Sequence, residues 1–261
     1  MTMIFKVKEI LDLFYPIGLE EMDSVRFMNR IDTKYIFSAR RLPELLKMMD
    51  GVYRVLEING YRISSYSTTY FDTPDYQFFN QHVTGKSERY KVRYRKYDST
   101  GITFLEVKKK TKKSRTIKWR IENDLSDNTC DDLAIKFIMK HIPDDTKVLA
   151  PVLTNCFKRI TLVCLNIPER ITLDFDLLYS GTNGNNTEIP FIAIAELKSE
   201  SVAIRSPFSN LVKQLSIYPT GFSKYCLGDA ILYDLPRKNI LKPKLLLINK
   251  IENEYNGSFN T

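Results

Sequence analysis

The sequence predicts an α+β fold, one closed or nearly closed antiparallel barrel with helices packed outside it. Three observations carry that expectation. About nine segments rich in β-branched and aromatic residues alternate in polarity. Most are joined by short turn-like links, and helical periodicity is confined to the chain ends and one segment between two groups of strands. Hairpins of this kind fit a barrel better than alternating β-α units do.

Apolar positions from Val7 to Met22 recur at helical spacing, and Ser38 stands ready to cap a second helix over Arg40 to Asp50, with Pro43 in its first turn. Strands are expected at NRIDTKYIFS (29–38), YRVLE (53–57), YRISSYSTTYF (61–71), ERYKVRYRKY (88–97), ITFLEVKKK (102–110) and RTIKWRIEND (115–124). A helix over Asp131 to His141 precedes NCFKRITLVC (155–164), ERITLDFDLLY (169–179) and IPFIAIAELK (189–198), and helical patterns return after Ser206 and after Phe222. The stretch from Asp127 to Pro151 divides the strands and not two complete domains. Residues 1–239 therefore read as one domain and 240–261 as a C-terminal extension, whose polar end ENEYNGSFNT is expected to fray.

Composition narrows the chemistry. The 261 residues are 43% hydrophobic and 12% aromatic, which excludes a disordered or low-complexity chain. Lys and Arg number 39 against 31 Asp and Glu, a net charge of +8 that favours an anionic partner. The four cysteines form no C-x-x-C pair and are too sparse for a disulfide framework, so buried thiols in a reducing, cytoplasmic setting are expected. Lys6, Lys8 and Glu9 interrupt the first apolar stretch, and no later run has membrane-spanning length, so neither secretion nor membrane insertion is expected. His82 and His141 have no metal-ligand spacing, leaving carboxylates, Lys and Arg to carry any chemistry.

Residues i and i+2 share a face of a strand. Lys91, Arg93 and Arg95 then oppose Val92 and Tyr94; Lys118 and Arg120 oppose Ile117, Trp119 and Ile121; and Arg170, Thr172, Asp174 and Asp176 oppose Ile171, Leu173, Phe175 and Leu177. Asp32-x-Lys34, Glu106-x-Lys108 and Glu196-x-Lys198 repeat one carboxylate-x-Lys spacing, which the apparent loop Asp145-Thr-Lys147 also shows. For any single strand a solvated face explains the alternation. For the set, the density of Arg suits forked recognition of phosphate, and the bulky apolar faces need covering by helices, so the charged faces would line the barrel. A lumen full of cations needs water, carboxylates or a polyanion. Glu106, Asp174, Asp176 and Glu196 offer hard oxygen ligands for Mg²⁺ or Mn²⁺ beside phosphate.

The ordered motifs IDTKYIF (31–37), TTYFDT (68–73), RYKVRYRKY (89–97), FLEVKKK (104–110), IKWR (117–120), FKRI (157–160), ERITLDFDL (169–177), IAELK (194–198) and GFSKYC (221–226) resemble the VTC domain of polyphosphate polymerases, within the triphosphate tunnel metalloenzyme superfamily. The resemblance runs from about Arg26 to Asp229. It implies an eight-stranded tunnel that transfers the γ-phosphate of ATP to inorganic polyphosphate with Mn²⁺ or Mg²⁺. Its implied phosphate ligands are Lys34, Arg93, Arg95, Lys108, Lys118, Arg159, Arg170, Lys198, Ser223 and Lys224, joined by Arg120 on the face of Lys118, and its implied metal ligand is Glu196. Two positions depart from the pattern: Gly221 stands in place of a lysine, and Asp32-x-Lys34, with Arg30 before it, is a reduced form of the E-x-E-x-K strand of the phosphohydrolase branch.

The rival readings are a tripolyphosphate or nucleoside-triphosphate phosphohydrolase and a non-catalytic binder of polyphosphate or RNA. Lys109 to Lys113 reads as a solvated hairpin tip more readily than as a nucleic-acid patch. Trp119 and most of the tyrosines fall on packed faces. Ser223 can cap a helix whose N-terminus also binds phosphate.

Overall fold

The structure, a computed structural model, describes residues 3–23, 31–113, 115–124, 130–143, 148–200 and 206–257. Arg30, the Asp145 to Lys147 loop and the last four residues lie outside them.

The strands are β1 (Pro16–Ile17), β2 (Ile31–Ser38), β3 (Tyr53–Leu56), β4 (Ser64–Asp72), β5 (Arg89–Tyr97), β6 (Thr103–Lys110), β7 (Thr116–Glu122), β8 (Ala150–Cys164), β9 (Glu169–Gly181), β10 (Asn186–Ile189) and β11 (Ile192–Ser199). One continuous path, β2-β11-β9-β8-β4-β5-β6-β7, is antiparallel at every pairing. This is the expected tunnel-type sheet, with the two end strands β2 and β7 left unpaired to each other among the described residues.

The curl of the sheet is visible in two hydrogen bonds. Five strand intervals separate β2 from β5 along the path, which in a flat sheet would span about 24 Å. Yet Lys34 of β2 donates to the Phe222 carbonyl at 2.9 Å, and Lys91 of β5 reaches Ser223 Oγ, one residue on, at 3.0 Å. The sheet therefore wraps around the segment that carries Phe222 and Ser223. That segment is guided in along β2, where Thr220 N–H donates to the Lys34 carbonyl.

The helices are α1 (Met3–Leu11), α2 (Leu19–Asp23), α3 (Leu42–Met49), α4 (Gln77–Val83), α5 (Asp132–His141), α6 (Pro207–Gln214), α7 (Lys224–Leu232) and α8 (Lys242–Gly257). On the convex face, α1, α3 and α6 cover Tyr35, Phe37, Ile160, Leu162, Ile171, Leu173, Phe175 and Leu197, while α5 covers Val92, Tyr94, Leu105 and Val107. Asp131, Ser206 and Ser223 cap α5, α6 and α7, each accepting from the backbone N–H three residues on, and of these Ser223 is the cap expected from the sequence.

Several local expectations are corrected. The helix expected over Val7 to Met22 ends at Leu11, because the chain reaches Pro16, and Pro16–Ile17 pairs in parallel with Val55 and Leu56. Ser38 makes no side-chain cap, and a 3-10 turn over Ala39–Arg41 precedes α3. The link after β4 holds α4, whose first-turn N–H groups at Phe78 and Phe79 are satisfied by the buried carboxylate of Asp72. The polar ENEYN segment continues α8, where Tyr255 packs against the core under Arg40.

α7 lies inside the curl. Tyr225, Cys226, Leu227 and Ala230 pack with Tyr70, Leu153, Leu177, Tyr179, Ile192 and Ile194 on the concave face, backed by Ile248 and Ile251 of α8. A β-carbon on Gly228 would stand 2.6 Å from the Tyr179 ring, so glycine is what lets α7 approach β9 this closely.

Tyr94 is 2% exposed on the convex side and donates to Asn123 at 2.8 Å. Tyr94→Ala is expected to lower stability by on the order of 3 kcal/mol in urea titration. A cost under about 1 kcal/mol would contradict the packing described.

Candidate functional site

Alternation along seven of the eight strands of the path brings the expected charged residues of those strands, Asp176 excepted, to one concave surface. Register places Arg93 beside Glu106 and Glu106 beside Arg120; Lys91 beside Lys108 and Lys108 beside Lys118; Glu196 beside Lys34; and Lys198 beside Arg170. Arg159 of β8 faces Asp174 of β9. Ser223 and Lys224 enter the same space from the first turn of α7.

Two buried carboxylates organise the cations. Glu106, fully buried, accepts from Arg93 Nε at 2.7 Å and pairs with Lys118. Asp174 accepts a forked pair from Arg159 at 2.5 and 2.7 Å and pairs with Lys224. Burial pushes both carboxyls upward, but Arg93 and Arg95 at Glu106, and Arg159 and Lys224 at Asp174, overcome it and hold both well below the ordinary range. Both are therefore anionic and already committed to cations.

Asp176 does not join them. Its φ of 51° breaks the alternation, placing its carboxylate on Lys158 at 2.8 Å, on the face of Phe175. The expected Asp174 and Asp176 pair is thus split between the two faces. After the break, Leu177 turns inward to α7, not outward as a constant period of two would have it.

Several cations lack such partners. Arg95 is 9% exposed and forms no ion pair among the described residues; its Nε donates to Thr68 Oγ1 at 3.3 Å. Lys108 is pressed well below an ordinary lysine by Arg93 and by burial. Burial and the neighbouring Lys34 bring the Lys91 amine down to about 8; Lys224, though paired with Asp174, is brought to about 8 as well by burial and Arg159. A buried surface with this surplus of positive charge is built to receive an anion.

Glu196 is the carboxylate that remains approachable. Its side chain is 23% exposed and pairs with Lys198 at 2.9 Å. Although burial opposes ionisation, Lys198 and Lys34 hold it well below the usual carboxylate range. Among the described residues no group of three or more His, Cys, Asp and Glu gathers to hold a metal. A hard divalent ion therefore fits here through Glu196 with phosphate oxygens and water completing its shell, and does not fit an all-protein cage.

Sequence reading missed two contributors. Tyr66, Tyr70, Tyr97, Phe104 and Phe157 share the charged face, positions that the sequence reading did not single out. An aromatic two positions from Arg159 was the available signal for Phe157. Lys244 of α8 brings its amine to 3.8 Å from where a β-carbon on Gly221 would stand. Trp119 stays on the convex side, stacked on His141 at 4.4 Å. The basic hairpin tip, with Lys112, Lys113 and Arg115, borders a surface recess of about 490 Å³ beside Glu88 and Ile117.

With this geometry in view, residues 29–233 match the VTC domain. The chain belongs to the VTC family. No curated protein matches it in sequence. Among solved structures, a Hippeastrum protein described as a candidate adenylyl cyclase with a dominant triphosphatase activity aligns at TM-score 0.51 and 12% identity, covering 78% of this VTC chain and 97% of its own. A Bacillus halodurans protein described as a candidate adenylate cyclase aligns at TM-score 0.49 and 14% identity, over 75% and 94% of the two chains. The Hippeastrum protein shares the tunnel fold at that low identity. No described helix of this VTC chain is long and apolar enough to cross a membrane.

Lys91 and Lys224 carry their charge below about pH 8 and lose it above. Tripolyphosphate affinity, measured calorimetrically, is expected to fall from pH 7 to pH 9, and Lys224→Met to flatten that decline. A wild-type profile that does not fall would remove these amines from phosphate binding.

Proposed function

We propose that this VTC chain is a metal-dependent polyphosphate polymerase that transfers the γ-phosphoryl group of ATP to a polyphosphate chain. The observation that carries the reading is the pairing of buried cations that lack carboxylate partners, Arg95 foremost, with one approachable anionic carboxylate, Glu196. Nucleotide and polymer phosphates supply the missing negative charge.

In this reading the triphosphate lies along Arg93, Arg95, Lys108, Lys118 and Arg120 on one wall and Lys34, Arg159, Arg170, Lys198 and Lys224 on the other. Glu106 and Asp174 fix the arginines' forks in advance, so no reorganisation is needed as charge develops. A terminal oxygen of the acceptor chain attacks the γ-phosphorus, a new P–O bond forms, the bond to the β-γ bridging oxygen breaks, and ADP leaves with the electron pair. No side chain acts as nucleophile. Glu196 would hold Mn²⁺ or Mg²⁺, whose chemistry when bound is to neutralise phosphate oxygens. Lys34 and Lys198 keep that carboxylate ionised.

A second reading, triphosphate hydrolysis, is favoured by the dominant triphosphatase activity ascribed to the Hippeastrum protein. The same walls would serve, with water as acceptor. Purified protein with ATP and Mn²⁺ separates the two: polymer accumulation supports the polymerase, and phosphate release alone supports hydrolysis.

Glu196→Gln keeps the side-chain volume but removes the hard anionic ligand. It is expected to abolish turnover while leaving metal-free polyphosphate binding intact or slightly tighter. Retained metal-dependent activity would take Glu196 out of the site.

Polyphosphate binding is expected to weaken steeply with added salt, and single-stranded nucleic acid of equal charge not to match it, because in this reading the charged space admits a bare phosphate chain and excludes bases. Equal affinity for the two polymers would favour an open basic surface.

A further inference from the structure

We infer that Phe157 and Tyr66 are positioning residues, a stacked aromatic floor that gathers Arg95, Arg159 and Lys224 into one three-cation cluster for a single phosphate group. The inference deepens the reading above and rests on it. The two residues face each other across β4 and β8, with ring centroids 5.3 Å apart and planes 4° from parallel. The Lys224 amine stands 4.5 Å from the Phe157 centroid. The Arg159 guanidinium is 5.1 Å from Tyr66 and 5.3 Å from Phe157, and that of Arg95 is 5.7 and 5.9 Å from the same rings. All three cations lie within the reach of cation–π attraction, about 6 Å.

The value of a ring over a carboxylate lies in hydrogen-bond donors. A carboxylate fixes a guanidinium by consuming its N–H groups and cancelling its charge, as Asp174 does for Arg159. A ring face attracts the same charge without accepting a conventional hydrogen bond. Arg95 shows the difference: its Nε meets Thr68 Oγ1, the rings lie beside its guanidinium, and no ion pair cancels it among the described residues. Its remaining donors are kept for phosphate oxygens. Burial, added to by mutual repulsion with Arg93 and Arg159, lowers the Arg95 pKa, so something must hold the group in place before a ligand arrives. The aromatic pair does so, and Asp174 balances the other two members through its bonds to Arg159 and Lys224.

The test uses inorganic tripolyphosphate as probe, in calorimetric titration of the full chain at pH 7 without metal. Phe157→Leu keeps an apolar side chain and removes the ring; affinity is expected to fall about tenfold. Tyr66→Phe keeps the ring and is expected to stay within about twofold of wild type. Phe79→Leu alters a fully buried ring of the same apolar cluster that carries none of these three cations, and is expected to bind as wild type. Equal binding by Phe157→Leu and wild type would overturn the inference, as would an equal loss in Phe79→Leu, which would reduce Phe157 to packing. Should Phe157→Leu lose cooperative melting, Tyr66→Leu is read by the same criteria. If wild type itself fails to bind tripolyphosphate, the phosphate reading of the tunnel falls; if it binds and the ring variants match it, only the aromatic floor falls.

Discussion

Like charges that face one another across a curled sheet repel, and two buried carboxylates meet that repulsion at its densest points. Glu106 joins Arg93 of β5 to Lys118 of β7, and Asp174 joins Arg159 of β8 to Lys224 of α7. Glu106 holds the consecutive strands β5, β6 and β7 together, while Asp174 also reaches Lys224 of α7, distant in sequence, so that part of the electrostatic balance is also a tertiary tether. Removing one partner of such a pair strands the others in a poorly solvated space, which is far costlier than the loss of an exposed pair.

The balance is incomplete by construction. Were every cation matched by a carboxylate, the tunnel would be stable and inert toward anions. The tunnel instead leaves part of its charge to ring faces, a backbone carbonyl and a serine hydroxyl: Arg95 on Tyr66 and Phe157, Lys34 on Phe222, Lys91 on Ser223. These partners orient a cation without neutralising it. The last two belong to the entry into α7, so the helix that fills one end with apolar side chains also aims lysines at the charged space beyond.

Much of this was legible in the sequence because it is local. A period of two needs only three or four residues to declare itself, and it correctly assigned Lys91, Arg93 and Arg95 against Val92 and Tyr94. Helix caps are local too, and Ser223 was read from its neighbouring residues, although the same reading misplaced a cap at Ser38. What was not legible depends on distance or on a single dihedral. One residue in the left-handed region, Asp176, exchanges the two faces of β9 for everything that follows; Asp is enriched in that backbone state, but inside an unbroken alternating run its presence alone did not reveal the break. Ile192 and Ile194 share a face with Glu196, a puzzle for a charged wall until α7 and α8 are seen to cover them. The aromatic pair escaped because Tyr66 and Phe157 lie far apart in the chain and meet only through strand pairing.

The unpaired edges of β2 and β7 have a mechanical consequence. A closed barrel has its girth set by its ladders, and widening it means breaking hydrogen bonds. Among the described residues no ladder joins β2 to β7, beside Lys118 and Arg120, so none there resists widening. Widening at that seam costs no described ladder hydrogen bond, as a slotted sleeve opens along its slot.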